Sequence, residues 1–379
     1  MKIVYCLDNI HQIGGIENVI REKANYLSNL KEMDIYIIVT DYNLIHQIDL
    51  DKKVKFFSLD INYSHSDWKS LLHFLYSLTI KRIKHFFRLS KLCKRINPDI
   101  IISTGLSEKF LLPFIKGNHK LIREYHFSKN YRKLAYGERN FFYKLIVFLA
   151  ESLDNNIFIK KYDRIVTLTL EDKDTNWKGF SNVQVINNPI RKLQEKQAPL
   201  INKKIIAVGR LVEQKNFSSL INSFAIVKKK FPDWSLNIYG DGYLKSILQK
   251  QIIDLDLTKN VFLKGNSINI SEEMLDSSLL VLSSKYEGMP LVILEAMACG
   301  LPVISYDCPC GPKDLIKNDE NGYLVPLNDE NQLAQKICLL IENQELRNKM
   351  GSESLKLSER YSFPNVMSQW VQLFESLLN

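Results

Sequence analysis

The sequence predicts an α/β protein of two doubly wound, Rossmann-like domains that face each other across a cleft. Short apolar runs that read as buried parallel strands alternate with helical patterns along the chain. A polar stretch containing a proline, residues 190–202, separates two such series. The 379 residues, 45% of them hydrophobic, are enough for two domains. We therefore expect one domain over residues 1–189 and a second over residues 203–360.

The first half of the sequence begins with an apolar run that predicts a buried strand, and similar runs recur along it. Seven strands are predicted, over residues 2–7, 35–39, 54–57, 99–103, 120–124, 164–168 and 183–186. The first strand leads into Gly14 and Gly15, and a helix follows from about Ile16 to Leu30. Adjacent glycines between a strand and a helix let the backbone approach a ligand closely, although such a pair is more often only a tight turn.

Residues 69–95 form a segment with eight lysines and arginines and no acidic residue. Cations recur there at helical spacing beside a largely separate apolar stripe. The cations are Lys81, Lys84, Arg88, Lys91 and Arg95, and the stripe is Leu71, Leu75, Leu78, Phe86, Leu89 and Cys93. A basic amphipathic helix of this kind lies on an anionic bilayer, or packs on its own domain with a solvated basic face.

The second half repeats the alternation of strands and helices. Strands are predicted over residues 204–208, 234–239, 261–264, 279–282 and 301–305, and later helices over 328–341, 345–357 and 365–378. A helix begins near Phe217, and another runs from Leu291 to about Cys299. Pro290 suits the first turn of that second helix. Pro364 interrupts the pattern before the final helix.

Charged side chains follow two strands of the second half, at the strand ends where open α/β sheets bind ligands. Arg210 and Lys215 flank a glycine turn and suit a diphosphate. Glu287 lies in a loop, and Glu295 lies in the next helix with seven residues between them. The start of that helix offers free N–H groups to a phosphate or sugar oxygen. The alternative interpretations are that Arg210 and Lys215 belong to an exposed basic loop without a ligand, and that Glu287 and Glu295 are ordinary surface carboxylates.

His126 lies directly after the strand 120–124, also on the ligand edge of its sheet. It is the histidine best placed for chemistry, although a lone histidine after a strand is usually structural. Cys308 and Cys310 lie near Cys299, but no histidine lies in this half of the chain. A closed zinc site needs four ligands, so we expect no metal.

Charge is unevenly distributed along the chain. The net charge is +9. Residues 1–190 contain 29 Lys+Arg and 20 Asp+Glu, whereas residues 191–379 contain 22 of each. The excess indicates an anionic partner for the first half: a membrane surface, a nucleic acid or a phosphorylated acceptor. No secretory signal and no apolar run of 18 residues is present, and the six cysteines are typical of reduced cytosolic thiols.

The run EGMPLVILEAMACGLPVI, with Glu-x7-Glu at Glu287 and Glu295, resembles the signature of the retaining glycosyltransferases of family 4, which have the GT-B fold. The similarity continues through DCPCGPKDLI and NGYLVP, through a GG-x-E loop after the first strand, and through G-R-(x4)-K-N from Gly209. It covers nearly the whole chain and is sharpest from Gly209 onward.

The resemblance implies a role for each candidate residue. Glu287 and His126 would contact the donor sugar as the catalytic residues. Glu295 would bind the ribose, and Arg210 and Lys215 would grip the diphosphate. Further donor-binding positions are Gly14 and Gly15 in the first domain and Met289, Pro290 and Leu291 at the helix start.

The resemblance also implies an activity: retaining, hexosyltransferase-type transfer from a UDP-sugar to a growing, lipid-linked bacterial glycan such as capsule or O-antigen. No cofactor and no metal are expected. The expected partners are the UDP-sugar, the glycan acceptor and an anionic membrane contacted by residues 69–95, without nucleic acid. The expected location is cytoplasmic, peripheral on the inner face of the plasma membrane. The first domain would be the acceptor side, and the final helix would return to it.

Two other functions remain open on the sequence. One is a UDP-sugar epimerase of the same fold. The other is a non-catalytic protein that binds a sugar nucleotide or a membrane.

Overall fold

Two all-parallel sheets make up this computed structural model, which confirms the predicted fold class. The structure describes residues 1–8, 15–41, 49–63, 77–105, 107–130, 148, 151–190 and 196–379. The strands of the first sheet are β1 (Lys2–Leu7), β2 (Asp34–Val39), β3 (Lys55–Ser58), β4 (Ile100–Ser103), β5 (Lys120–Glu124), β6 (Arg164–Thr167) and β7 (Val183–Val185). Their spatial order is β3-β2-β1-β4-β5-β6-β7.

The second sheet has one strand more than the sequence predicts. Its strands are β8 (Lys204–Val208), β9 (Ser235–Tyr239), β10 (Val261–Gly265), β11 (Leu279–Leu282), β12 (Val303–Tyr306) and β13 (Gly322–Val325), in the order β10-β9-β8-β11-β12-β13. The additional strand is β13, which pairs with β12 at the edge of the sheet. A Cβ on Gly322 would lie 1.8 Å from the carbonyl oxygen of Val303, so this pairing requires glycine.

Helices cover both faces of each sheet, as parallel strands require. They are α1 (Gly15–Ser28), α2 (Arg82–Ile96), α3 (Leu170–Asn176), α4 (Phe217–Lys230), α5 (Lys245–Asp254), α6 (Ile270–Leu275), α7 (Leu291–Ala298), α8 (Pro312–Leu315), α9 (Glu330–Glu342), α10 (Gln344–Ser358) and α11 (Phe363–Leu378). Within the described ranges, no helix combines the length and apolarity needed to cross a membrane.

The final helix, α11, packs in the core of the first sheet. Its apolar face, Val366, Met367, Trp370, Leu373 and Phe374, is buried against residues of β1, β2, β4 and α1. Pro364 lies in the first turn of this helix rather than before it, because proline loses no hydrogen bond there. The last element of the chain therefore helps to build the first sheet's core.

The stretch predicted as a linker, residues 190–202, is anchored on both sides of the residues that the structure leaves undescribed. Ile190 donates its backbone N–H to the carbonyl of Tyr361 at 2.9 Å. Ala198 and Leu200 are buried in the same apolar cluster as α7. The stretch lies between the last strand of the first sheet and the first strand of the second, and apolar residues at both of its ends pack.

Candidate functional site

The polar residues predicted in the second domain meet where its sheet order reverses. β8 lies beside both β9 and β11, so the connections from β8 and β11 leave the sheet in opposite directions. In open parallel sheets this reversal opens a crevice at the carboxyl ends of the strands. The loop after β8 contains Arg210 and Lys215, and the loop after β11 contains Glu287.

The two loops are joined by hydrogen bonds. The N–H of Lys285 donates to the carbonyl of Gln214 at 2.8 Å, and the amide of Gln214 donates to the carbonyl of Tyr286 at 2.9 Å. The hydroxyl of Ser283 donates to the carbonyl of Lys215 at 2.8 Å. These bonds fix the spacing of the two loops before any ligand arrives.

Lys215 and Glu287 form an ion pair, with 2.7 Å between Nζ and Oε1. The Lys215 stem lies over Gly209, where an added Cβ would meet side-chain carbons at 3.0 Å. Glu287 is buried, and its backbone N–H donates to the carbonyl of Pro309 at 2.8 Å. Arg210 in the same loop is exposed, with no side-chain hydrogen bond or ion pair to the part of the chain that is described. Of the two cations predicted to bind a diphosphate, Lys215 is ion-paired, and Arg210 is exposed without an ion pair to the described residues.

The start of α7 faces the start of α1 from the other domain. Pro290 is the N-cap of α7, and the helix begins at Leu291. A Cβ on Gly15, at the start of α1, would lie 3.6 Å from a methyl group of Leu291. Met289 is buried, and its sulfur accepts the backbone N–H of Asn188 at 3.3 Å. Gly14 lies outside the described residues.

Glu295 lies on α7 and is half-buried. The negative charge of Glu22 on α1 repels its carboxylate. Burial, together with the negative charge of Glu22, raises the pKa of Glu295 to about 7. The carboxyl group therefore titrates near neutral pH while no ligand hydroxyl or cation satisfies it.

The backbone at His126 contacts Gly288, in the loop of the second domain that contains Glu287. A Cβ on Gly288 would lie 2.4 Å from the carbonyl oxygen of His126, so only glycine fits beside Glu287 at this contact. The imidazole is buried, and neither ring nitrogen has a hydrogen-bond partner among the described residues. Buried ring nitrogens without a partner are rare in folded proteins, and a ligand or a water molecule can supply the missing bond.

A charged network that the sequence analysis missed lies behind His126. Its Nε2 is 3.4 Å from Oε1 of Glu124, and the same oxygen accepts from Nζ of Lys23 at 2.7 Å. Lys23 is fully buried, with its ammonium 3.7 Å from the centre of the Trp370 ring. Burial lowers the pKa of His126, and Lys23 lowers it further while Glu124 opposes the change. The imidazole is therefore neutral at pH 7.

One signal for this network is present in the sequence. Lys23 lies on the same face of α1 as the buried residues Val19, Ile20, Ala24 and Leu27. A lysine within an apolar helix face needs a buried partner.

Two carboxylates form hydrogen bonds between the domains on the opposite side of the interdomain contact. Asp314 accepts backbone N–H groups of Leu170 and Glu171, at the start of α3. Glu171 in return accepts the N–H of Gly311 at 2.9 Å, at the start of α8. Each domain thus caps a helix of the other.

Asp172, in the first turn of α3, is the centre of a buried hydrogen-bond network. Thr169 is the N-cap of α3, and its hydroxyl accepts the N–H of Asp172 at 3.2 Å. Asp172 is buried and accepts hydrogen bonds from Ser128, Thr167, Asn176 and Trp177. It is a structural anchor for the segment after His126.

Two cysteines near the site, Cys308 and Cys310, lie in the protein interior. Both are buried, and burial raises the pKa of each thiol. Within the part of the chain that the structure describes, no group of three or more His, Cys, Asp or Glu side chains is arranged to hold a metal ion.

Part of the basic segment packs on its own domain, which is one of the two arrangements that the sequence leaves open. Lys81, Lys84 and Arg88 donate to backbone carbonyls of residues 59–62. Leu89 and Cys93 are buried in the core, as a packing helix requires. Leu71 and Leu75 lie outside the described residues. Three of the five cations of the predicted stripe therefore contact their own domain through carbonyl oxygens.

Comparison with known proteins gives the family. Residues 190–356 match the model of the glycosyl transferases group 1. An uncharacterized glycosyltransferase of Haemophilus influenzae is 30% identical over 375 residues, which is 97% of this chain and 98% of that protein. The poly(ribitol-phosphate) alpha-N-acetylglucosaminyltransferase of Staphylococcus aureus is 32% identical over 62% of this chain and 46% of its own length.

Among solved structures, Staphylococcus aureus TarM, in a complex that contains UDP, has a TM-score of 0.75 at 19% identity. The match covers 99% of this chain and 100% of TarM, and at this identity it establishes the fold. Together with the full-length relative, it shows that this chain belongs to the glycosyltransferases of the GT-B fold.

Proposed function

We propose that the protein is a retaining, metal-independent glycosyltransferase of family 4. It transfers a sugar from a UDP-sugar to a growing, lipid-linked bacterial glycan. The observation that carries this proposal is the meeting of the Lys215–Glu287 pair, the start of α7 and the neutral His126 at one interdomain contact. The relatives support the donor class, because one is named for N-acetylglucosamine transfer and TarM is described with UDP.

The cations supply the stabilisation that a departing diphosphate needs. Arg210 is free to bind phosphate oxygens as a fork, and the start of α7 adds backbone N–H groups. Lys215 is held in place by Glu287 until the donor enters. Its exchange from a carboxylate to a phosphate oxygen then frees Glu287 for the sugar. Preorganised positive charge of this kind stabilises the leaving group without a metal.

The other residues orient the two ends of the donor. Glu295 receives ribose hydroxyls, for which an ionised carboxylate is a good acceptor. His126 offers a neutral imidazole, which donates through one ring nitrogen and accepts through the other, to the sugar hydroxyls. The starts of α1 and α7 lie close together, since a Cβ on Gly15 would be in ordinary contact with Leu291, so both helix ends can face the phosphates.

Transfer of radiolabel from UDP-sugars to a bacterial lipid extract tests this function. A transferase moves the label from the aqueous to the organic phase, and the product keeps the anomeric configuration of the donor. An epimerase changes only the free nucleotide sugar, and a binding protein changes nothing. Label that stays with the nucleotide across a panel of UDP-sugars would contradict the proposal.

A further inference from the structure

A loop of the second domain connects the donor site to the first domain. We call residues 309–311, after β12, the bridging loop, and residues 287–290, which lead into α7, the donor loop. The bridging loop forms hydrogen bonds both to the donor loop and to the start of α3 in the first domain. It contains none of the residues to which the proposed function gives a role, so its own contribution to the site lies in what it holds.

The bridging loop packs directly against the donor loop. The N–H of Glu287 donates to the carbonyl of Pro309 at 2.8 Å, and the N–H of Cys310 donates to the carbonyl of Glu287 at 3.4 Å. A Cβ on Gly311 would lie 2.8 Å from the carbonyl oxygen of Gly288. Because closely packed segments transmit displacements, a shift of the bridging loop moves the donor loop as well.

Two side chains at the start of α3 hold the other side of the bridging loop. Oε2 of Glu171 accepts the N–H of Gly311 at 2.9 Å. The thiol of Cys310 lies 3.8 Å from Oδ1 of Asp172, within reach of a weak hydrogen bond from sulfur. Asp172 is buried and accepts a hydrogen bond from the indole of Trp177 at 2.8 Å. The bridging loop is thus attached to a buried part of the first domain.

Glu171 contributes the stronger of these two bonds, because its acceptor is a carboxylate and its donor is a backbone N–H. Within the described part of the chain, the N–H of Gly311 is the only hydrogen-bond donor to its carboxylate. The side chain is half-buried. Burial, together with the charges of Asp314 and Asp307, raises the pKa of Glu171, whereas the N–H of Gly311 and the charge of Lys313 oppose this change. The carboxylate therefore leaves water in order to fix one N–H of the other domain.

The donor loop has to keep its position while Glu287 changes its partner. In the proposed function, the Glu287 carboxylate leaves Lys215 and contacts the sugar. The backbone of Glu287 then depends more on its bonds to the bridging loop, because the ion pair no longer holds it. The same loop sets the start of α7, whose first N–H groups bind the diphosphate in the proposed function. A displacement of the donor loop would therefore misplace both groups.

We propose that Glu171 is a positioning residue of the donor site. Through the N–H of Gly311, it holds the bridging loop, and thereby the donor loop, in the geometry that sugar transfer requires. Because Glu171 belongs to the first domain, the donor site of the second domain is complete only while the two domains are in contact. The proposal rests on the proposed function for the roles of Glu287 and the start of α7, but the contacts that carry it lie within the chain itself.

Hydrogen exchange of the full chain, followed by mass spectrometry, tests the coupling without any substrate. In Glu171→Ala, we expect the amide of Glu287 to exchange roughly tenfold faster. Glu171 does not bond this amide, so the change reports a displacement that the bridging loop has transmitted. Glu171→Gln should exchange at Glu287 as the wild type does, because its amide oxygen accepts the same N–H.

The matched control is Asp163→Ala. Asp163 is also half-buried, and it accepts the N–H of Leu121 at 2.8 Å, at the amino-terminal edge of the first sheet. Each alanine variant loses one bond between a carboxylate and a backbone N–H, so the melting temperatures should fall by similar amounts. In sugar transfer, kcat should fall by at least about tenfold in Glu171→Ala and stay near the wild-type value in Glu171→Gln and Asp163→Ala.

Three results would overturn the proposal. The first is wild-type exchange at Glu287 in Glu171→Ala, because the displacement would then not reach the donor loop. The second is an equal fall of kcat in Asp163→Ala, and the third is an equal fall in Glu171→Gln. Faster exchange at Glu287 in a protein that transfers no sugar would contradict the proposed function and leave the coupling of the two loops to Glu171 standing.

Discussion

The two sides of the cleft are built in different ways. On the second-domain side, Lys215 and Glu287 lie in loops after neighbouring strands. One backbone hydrogen bond and two bonds from side chains to carbonyls join these loops directly. On the first-domain side, His126 depends on α1, β5 and α11, which supply Lys23, Glu124 and Trp370. The second side is therefore held by local geometry, and the first by a buried charge network drawn from distant parts of the chain.

This difference has an energetic consequence. A loop pair joined by several hydrogen bonds that do not involve the Glu287 side chain keeps its shape when that side chain changes. A buried ion pair that loses one partner leaves a charge without compensation in the protein interior. Substitutions on the second side should therefore affect catalysis without unfolding, whereas substitutions behind His126 should affect stability and activity together.

The largest catalytic effect should follow from Glu287→Gln. We expect kcat to fall by about a hundredfold, because the carboxylate orients the sugar as charge develops. The melting temperature should stay near that of the wild type, since the loops remain joined. Steady-state kinetics and calorimetry measure both. A change in KM alone would remove Glu287 from the catalytic role.

A large effect on stability should follow from Lys23→Met. Removing one partner of a fully buried pair costs about 3–5 kcal/mol of unfolding free energy, which denaturant titration measures. The acid limb of the pH–rate profile should also move. Lys23 lowers the pKa of His126, so its loss raises that pKa and activity falls at a higher pH.

Glu124→Gln is the matched variant for this network. Glu124 raises the pKa of His126, so its neutralisation moves the acid limb in the opposite direction, to lower pH. Shifts of equal sign in the two variants would show that the network does not act through His126.

A moderate effect should follow from Glu295→Gln. Donor KM should rise about tenfold, because an ionised ribose acceptor is lost. The pKa of Glu295 is about 7 in the folded protein against an ordinary 4.5. The folded state therefore holds a proton that the unfolded state loses between those values, and stability falls as pH rises through them. The variant should melt at a higher temperature than the wild type at pH 8, and an equal or lower melting temperature would contradict this.

The smallest effect should be that of a chelator. Turnover in excess EDTA should equal turnover without it, because fixed cations and a helix start serve the leaving group. Loss of activity that manganese restores would contradict metal independence.

The sequence was informative where a residue's role depends on its neighbours in the chain. The strands, the Lys215 and Glu287 loops and the start of α7 follow from apolar runs, glycines and a proline at fixed spacing. The structure places these side chains at the predicted sheet edge.

Long-range packing was not predictable in the same way. The Glu124–Lys23 pair joins residues 101 positions apart, and no local pattern links them. β13 was missed because its four residues resemble a loop motif until β12 pairs with them. For the basic stripe of α2, the sequence left a membrane and the protein's own domain open, because periodicity gives a face, but not what that face contacts.

Calorimetric titration with UDP and with a UDP-sugar tests the central difference between the two sides most directly. Lys215→Met should weaken both ligands by at least about tenfold, because the diphosphate is common to them. His126→Ala should weaken only the UDP-sugar, because in the proposed function the imidazole contacts the sugar. Equal weakening of UDP by His126→Ala, or unchanged UDP binding by Lys215→Met, would contradict the account.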